Sequence, residues 1–162
     1  MNFLRPLICL VASLSLQAQT LELQAKGGGE LKIGATSYRF ALTDLSTAPA
    51  KGGLSGALKL TGNLVPKDGS AGTFHMTLIV LKSGGLYTLR IERRNGKAYP
   101  DSWAATLKTK TRALKLEDRP GGRVEIQCEG PLTGVIAQRP TQADWSGTLW
   151  AVFPGETEVA TN

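Results

Sequence analysis

The chain has 162 residues, with 19 Lys+Arg against 13 Asp+Glu for a net charge of +6, and only one His and two Cys. That length fits one domain or two very small ones, and 41% hydrophobic with 20% charged residues excludes wholesale disorder. A single His excludes a metal site built on two His, and so few Cys exclude a Cys-rich zinc module or a disulfide-dense scaffold.

The first segment has the three parts of a secretory signal peptide. Residues 1–6 carry one positive charge, Arg5. Residues 7–16 are apolar apart from Ser13 and Ser15, and Gln17-Ala18-Gln19 follows with a small residue at the expected cleavage position. Ten helical residues span roughly 15 Å, about half a hydrocarbon core, which is short for a permanent anchor. Cleavage is expected after Ala18. Cys9 follows Leu7-Ile8 and does not close the apolar stretch, a poor position for lipidation. Removing 1–18 takes Arg5 and no acid, leaving +5 and a single thiol, Cys128.

From Leu21 onward, short alternating runs are separated by Gly, Pro, Asn and Asp, the pattern of strands and turns. Leu21 and Leu23 alternate with polar residues, and Gly27-Gly28-Gly29 is expected to break that strand as a flexible turn. Leu31 and Ile33 resume the pattern. Tyr38, Phe40 and Leu42 form the next inward face, and a loop is expected over 43–53. Leu58 and Leu60 mark a strand ending near Val65, where Pro66-Lys67-Asp68-Gly69 turns the chain. Residues 73–82 form the most apolar strand, with Phe74, Met76, Leu78 and Val80 on one face, so it is expected in the middle of a sheet. The return strand places Tyr87, Leu89 and Ile91 inward, and Asn95-Gly96 suits a type I′ turn. Further strands are expected over 103–107, 114–116, 124–128, 132–137 and 145–153. Inward parity changes between Leu107 and Leu114, which predicts a bulge or break near Arg112-Ala113. Trp145 and Trp150 have opposite parity, so one of them should face outward.

The fold expected is all-β: a single-domain antiparallel β-sandwich or partly closed β-barrel of about ten strands. The domain runs over 19–153, behind a signal peptide at 1–18 and ahead of a flexible tail at 154–162.

No catalytic constellation emerges. His75 sits mid-strand with parity opposite to its apolar neighbours, and no G-x-S-x-G elbow exists for it to serve. Glu125 and Glu129 share a strand face but lie roughly 13 Å apart, too far for paired glycosidase carboxylates. Gly27-Gly28-Gly29 lacks the Lys-Ser/Thr of a phosphate loop, and no calcium-loop pattern occurs. Cys128 shares a strand face with Val124 and Ile126, which marks it as a buried thiol. No cofactor and no metal are expected.

The charge is unevenly placed. Between Arg90 and Arg123 lie ten basic and four acidic residues, a net +6, while the rest of the mature chain sums to −1. Lys108, Lys110 and Arg112 alternate, so they project from one strand face, and Arg90 and Arg94 line a neighbouring segment. If those strands pair, they form a positive stripe suited to an anionic envelope polymer or lipid headgroups. These five residues are the candidate anion-binding surface. The expectation is an exported, non-catalytic protein, periplasmic, outer-envelope-associated or secreted, that binds or builds at the cell envelope. Nucleic acid is not expected as a partner, nor a transmembrane span in the mature chain. Two other roles fit the same strands: a small barrel holding an apolar ligand, with Trp103, Trp145 and Trp150 as candidate lining, and an assembly module pairing through strand edges.

Overall fold

A computed structural model describes residues 25–48, 56–69, 72–93 and 100–155. The signal segment, the Asn95-Gly96 turn, Arg94 and the last seven residues lie outside the described residues.

Nine antiparallel strands follow one another: β1 (Lys26–Ile33), β2 (Thr36–Ala48), β3 (Ala57–Pro66), β4 (Phe74–Leu81), β5 (Leu86–Arg93), β6 (Asp101–Ala105), β7 (Lys110–Leu116), β8 (Arg123–Ile136) and β9 (Arg139–Val152). Each pairs with the next from β1 to β6, β9 returns to β1, and β6 meets β8. Eight strands thereby close into a barrel, and β7 is the ninth, added along β8. One edge of β8 is used twice. Its first half, from Val124 to Glu129, pairs with β7, and its second half, from Leu132 to Val135, pairs with β6. Of the two architectures compatible with the sequence, the chain adopts the barrel.

The inward faces are apolar and the outward faces polar, as strand alternation dictates. Trp145, Phe40, Met76, Leu78, Ile91, Ile126 and Leu149 are all fully buried. Glu30, Lys32, Arg39, Lys59, Thr88 and Arg90 are exposed on the outer surface. That is the reverse of a membrane-spanning barrel, which turns its apolar band outward. Trp145 faces in and Trp150 faces out, as their parity predicts.

Four local expectations need correction. Gly27-Gly28-Gly29 is not a turn but part of β1: all three pair with β9, and Gly28 and Gly29 also pair with β2. The glycines are there because neighbours occupy the space of a side chain: a Cβ on Gly27 would lie 2.8 Å from Leu42 Cδ2, and one on Gly29 3.0 Å from Leu149 Cδ2. Second, residues 43–48 of the expected 43–53 loop are strand, since β2 continues to Ala48 past a register shift between Leu42 and Asp44, and residues 49–53 lie outside the described residues. Third, Tyr87 does not face inward. A register shift between Ile79 and Val80 puts Leu86 opposite Val80 and turns Tyr87 out to 61% exposure. Fourth, the runs at 124–128 and 132–137 are one fourteen-residue strand, β8, and β9 already begins at Arg139. The hairpin between them turns on Ala137 and Gln138, with φ of 50° and 64°. Both residues have the left-handed conformation of a type I′ turn without the Asn or Gly that usually marks one. The parity change near residue 112 has two sources, a turn at 106–109 and a register shift between Ala113 and Lys115.

An ion pair holds the barrel end that carries the β8–β9 turn. Asp101 is 4% exposed. One of its carboxylate oxygens accepts the Ala137 N–H at 2.8 Å and the other accepts from Arg93 at 2.7 Å. The Arg93 guanidinium lies 4.7 Å from the centroid of Phe74, whose ring meets Tyr38 edge-on. Burial raises the Tyr38 hydroxyl above its ordinary value, opposed by a hydrogen bond with Thr36 and by the Arg93 charge.

Two stability predictions follow from these contacts. Gly62 faces the core beneath the Phe40 ring, and a Cβ there would lie 2.6 Å from Phe40 Cζ. Gly62→Ala is expected to lower unfolding free energy by about 1–3 kcal/mol in urea titration, as overpacking does. Asp101→Ala strands Arg93 and an amide donor together, so a loss of about 3–5 kcal/mol is expected. Asp101→Asn, which keeps an acceptor, is expected to cost less.

Candidate anion-binding surface

Four of the five candidate residues are described, on β5, on β7 and in the turn between β6 and β7. Arg90 projects from β5, where it stands opposite Ala104 of β6. Lys108 is exposed in the 106–109 turn, and Lys110 and Arg112 are exposed on the outer face of β7. The predicted alternation of Lys110 and Arg112 therefore holds. Lys108 precedes the strand instead of belonging to it. Arg94, the fifth candidate, lies outside the described residues.

The turn that carries Lys108 is tightly fastened. The Thr106 N–H donates to Thr109 Oγ1 at 2.7 Å, and that hydroxyl donates to the Pro131 carbonyl at 2.5 Å. The Lys108 N–H donates to Thr106 Oγ1 at 3.1 Å. This turn makes the chain leave β6 and rejoin β8 as β7. Because β5 and β6 pair only from Arg90 to Arg93, β5 and the outgoing chain part over residues 86–89. An open depression of about 600 Å³ lies between them, lined by Tyr87, Thr88, Leu89, Ala105 and Leu107 among others. Below it the walls meet again: Thr111 Oγ1 donates to the Gly84 carbonyl at 3.1 Å, and Lys82 forms an ion pair with Asp118.

The positive excess read along the chain is partly cancelled in space. Arg90 pairs with Glu92 at 2.6 Å, Arg93 with Asp101, Lys115 with Glu117 at 3.2 Å, and Arg123 with Glu125 at 2.6 Å. Glu117 is held below its ordinary value by the Arg123 N–H and by Lys115, and Asp118 by Lys82. Among the described residues, Lys108, Lys110, Arg112 and Arg119 make no ion pair. Arg112 donates to the neutral Gln127 side chain at 3.1 Å. The one acid set among the first three is Glu129, the register partner of Lys110, which shares a shallow depression with Lys110 and Arg112. The usable cationic patch is thus Lys108, Lys110 and Arg112, smaller than the stripe read from the sequence.

Apolar side chains mark the same side, a feature sequence reasoning missed. Five large hydrophobic residues are exposed among the described ones, and three of them adjoin this patch: Tyr87, Leu107 at 105% exposure and Leu114 at 48%. A lone leucine directly ahead of Lys108 and Lys110 was the available signal for Leu107. Tyr87 could not be placed without the register shift in β4–β5.

Other candidate chemistry is placed plainly. His75 is exposed on β4, with Nδ1 3.4 Å from Asn63 Oδ1. No group of three metal-ligating side chains occurs among the described residues, and none of their helices is long and apolar enough to cross a membrane. The barrel interior holds Trp145, whose indole N–H has no acceptor among the described residues. Trp150 lies on the outer surface with the Arg123 guanidinium 5.1 Å from its ring centroid.

Cys128 is a free thiol, 1% exposed, and burial pushes it up to about 12 from an ordinary 9.0. It is therefore a core residue and no nucleophile at neutral pH. Folded protein at pH 8 is expected to resist a thiol reagent that labels it fully in urea. The unfolded chain ionises this thiol first, so its contribution to stability is full below pH 9. It falls between pH 9 and 12, by at most about 1.4 kcal/mol per pH unit. Cys128→Ala is expected to remove that part of the alkaline slope in denaturation curves.

Comparison of the chain with protein-family models, with curated proteins and with solved structures finds no match, so the reading of its role rests on this geometry alone.

Proposed function

We propose that the chain is an exported, non-catalytic β-barrel protein that binds anionic groups, on an envelope polymer or on lipid headgroups, through the outer face around β7. The observation that carries this reading is the patch of Lys108, Lys110 and Arg112, exposed together and without an ion pair among the described residues. The turn that presents Lys108 is fixed by hydrogen bonds to β8 through Thr109, so the patch is held in shape before any ligand arrives. Arg90 extends it across β5, with part of its charge engaged by Glu92. Export rests on the signal-like pattern of residues 1–18.

The interior-ligand reading draws on one observation, the unpaired Trp145 indole N–H. The inward side chains form one buried apolar cluster, and the cationic outer face is the surface this reading favours. Strand-edge assembly has a specific location, the 86–89 stretch of β5, which pairs with β4 but not with β6, though no feature there selects a partner.

The test is retention on immobilised heparin and co-sedimentation with vesicles containing phosphatidylglycerol, each over a salt series. Binding at low salt that weakens steeply with added salt is expected. Each of Lys108→Gln, Lys110→Gln and Arg112→Gln is expected to weaken vesicle binding by about 1 kcal/mol. Glu129→Gln should strengthen it. No binding by the wild-type protein at low salt, or binding indifferent to the triple variant, overturns the proposal.

A further inference from the structure

The cationic patch does not account for the apolar side chains beside it. Leu107 stands entirely in solvent at 105% exposure, on a turn with little freedom to hide it. Thr109, two residues on, is 6% exposed and fastened to Pro131, and the Thr109 N–H donates back to the Thr106 carbonyl at 3.1 Å. Tyr87 faces the same depression from β5, and Leu114 follows Lys110 and Arg112 on β7. Isolated exposed leucines are common and need no explanation. Here three of the five large exposed hydrophobics of the described residues lie beside three cations that make no ion pair.

We propose that this side of the barrel seats on an anionic bilayer surface, with Leu107 entering the acyl boundary, Tyr87 and Leu114 at headgroup level, and Lys108, Lys110 and Arg112 on the headgroup anions. The inference rests on the anion-binding reading above and selects one source for the anion. A sulfated or carboxylated polysaccharide satisfies the cations but leaves Leu107 in water. A bilayer offers both charge and an apolar phase within one side-chain length of each other. Lys108 immediately follows Leu107, so insertion of the leucine brings the ammonium to the phosphate layer, where a long basic side chain keeps its charge wet. A protruding apolar group with basic neighbours binds a membrane surface by buried apolar area plus attraction to anionic lipid. Because the turn is already ordered, insertion costs little further loss of freedom. The barrel itself stays outside the bilayer, since its outer face elsewhere carries Glu30, Lys32, Arg39 and Lys59 in exposed positions.

The experiment uses the mature chain, phosphatidylcholine vesicles with and without phosphatidylglycerol, and heparin as a soluble polyanion. Leu107→Ser, at a position with no packing to lose, is expected to reduce partition onto the mixed vesicles about tenfold or more, with the heparin elution salt unchanged. Lys108→Gln combined with Lys110→Gln should weaken both. A Leu107→Trp variant should be quenched by brominated acyl chains in mixed vesicles beyond the wild-type level. Vesicle binding that is unaffected by Leu107→Ser, while heparin and vesicle binding both respond to the lysine variants, overturns the membrane inference and leaves the anion-binding reading standing. Wild-type protein that binds neither probe overturns both.

Discussion

A β-sheet becomes a barrel only when its two outer strands find each other, and here that meeting is narrow. Ser102, Trp103, Ala104 and Ala105 of β6 pair with Val135, Gly134, Thr133 and Leu132 of β8. β6 is five residues long, while β8 and β9 have fourteen each. Such a short stave cannot cover the full height of its neighbour. The chain solves this by leaving the wall at 106–109, turning on a pair of threonines, and returning as β7 to cover the rest of the β8 edge. The open depression, the fully exposed Leu107 and the raised Lys108 all follow from that detour. The candidate surface is therefore a by-product of how the barrel closes, and it sits where the closure is incomplete.

The opposite end of the barrel is held by charge. Asp101 opens β6 and reaches two partners at once, the Arg93 guanidinium and the Ala137 amide. It thereby links the start of the short stave to the end of β5 and to the β8–β9 turn. Burial of an ion pair contributes less to net stability than its geometry suggests, because both charges leave water. Its value here is positional: it keeps β6 aligned between two strands that would otherwise share four residue pairs with it on each side.

The strand pattern was legible because solvent lies on only one side of the barrel wall. Alternation placed Phe74, Met76, Leu78 and Val80 inward, separated Trp145 from Trp150, and marked Cys128 as buried. Three features were hidden for physical reasons. Gly27-Gly28-Gly29 reads as a turn by composition, but Leu42 and Leu149 fill the space above it from other strands. Ala137-Gln138 carries no turn signature, because the acceptor that supports it is Asp101, thirty-six residues away. The basic stripe was visible as a count, while its neutralisation was not: Arg93 meets Asp101 across the β5–β6 register, and Arg90, Lys115 and Arg123 each pair with the acid two residues further on. What survives as a cationic patch is set by which side chains these pairs engage, which a charge count does not encode.

The pairing of β1 with β9 has a consequence for when this protein can fold. Residues from Lys26 to Ile33 hydrogen-bond with residues from Trp145 to Val152, so the first strand waits for the last. The β8–β9 hairpin is local, yet no closed barrel exists until β9 is present to pair with β1. Such long-range pairing slows folding relative to local topologies. Synthesis from the N-terminus therefore keeps β1 without its final partner throughout, and a chain in that state is still threadable. The topology that closes the barrel also postpones its folding until β9 has been made.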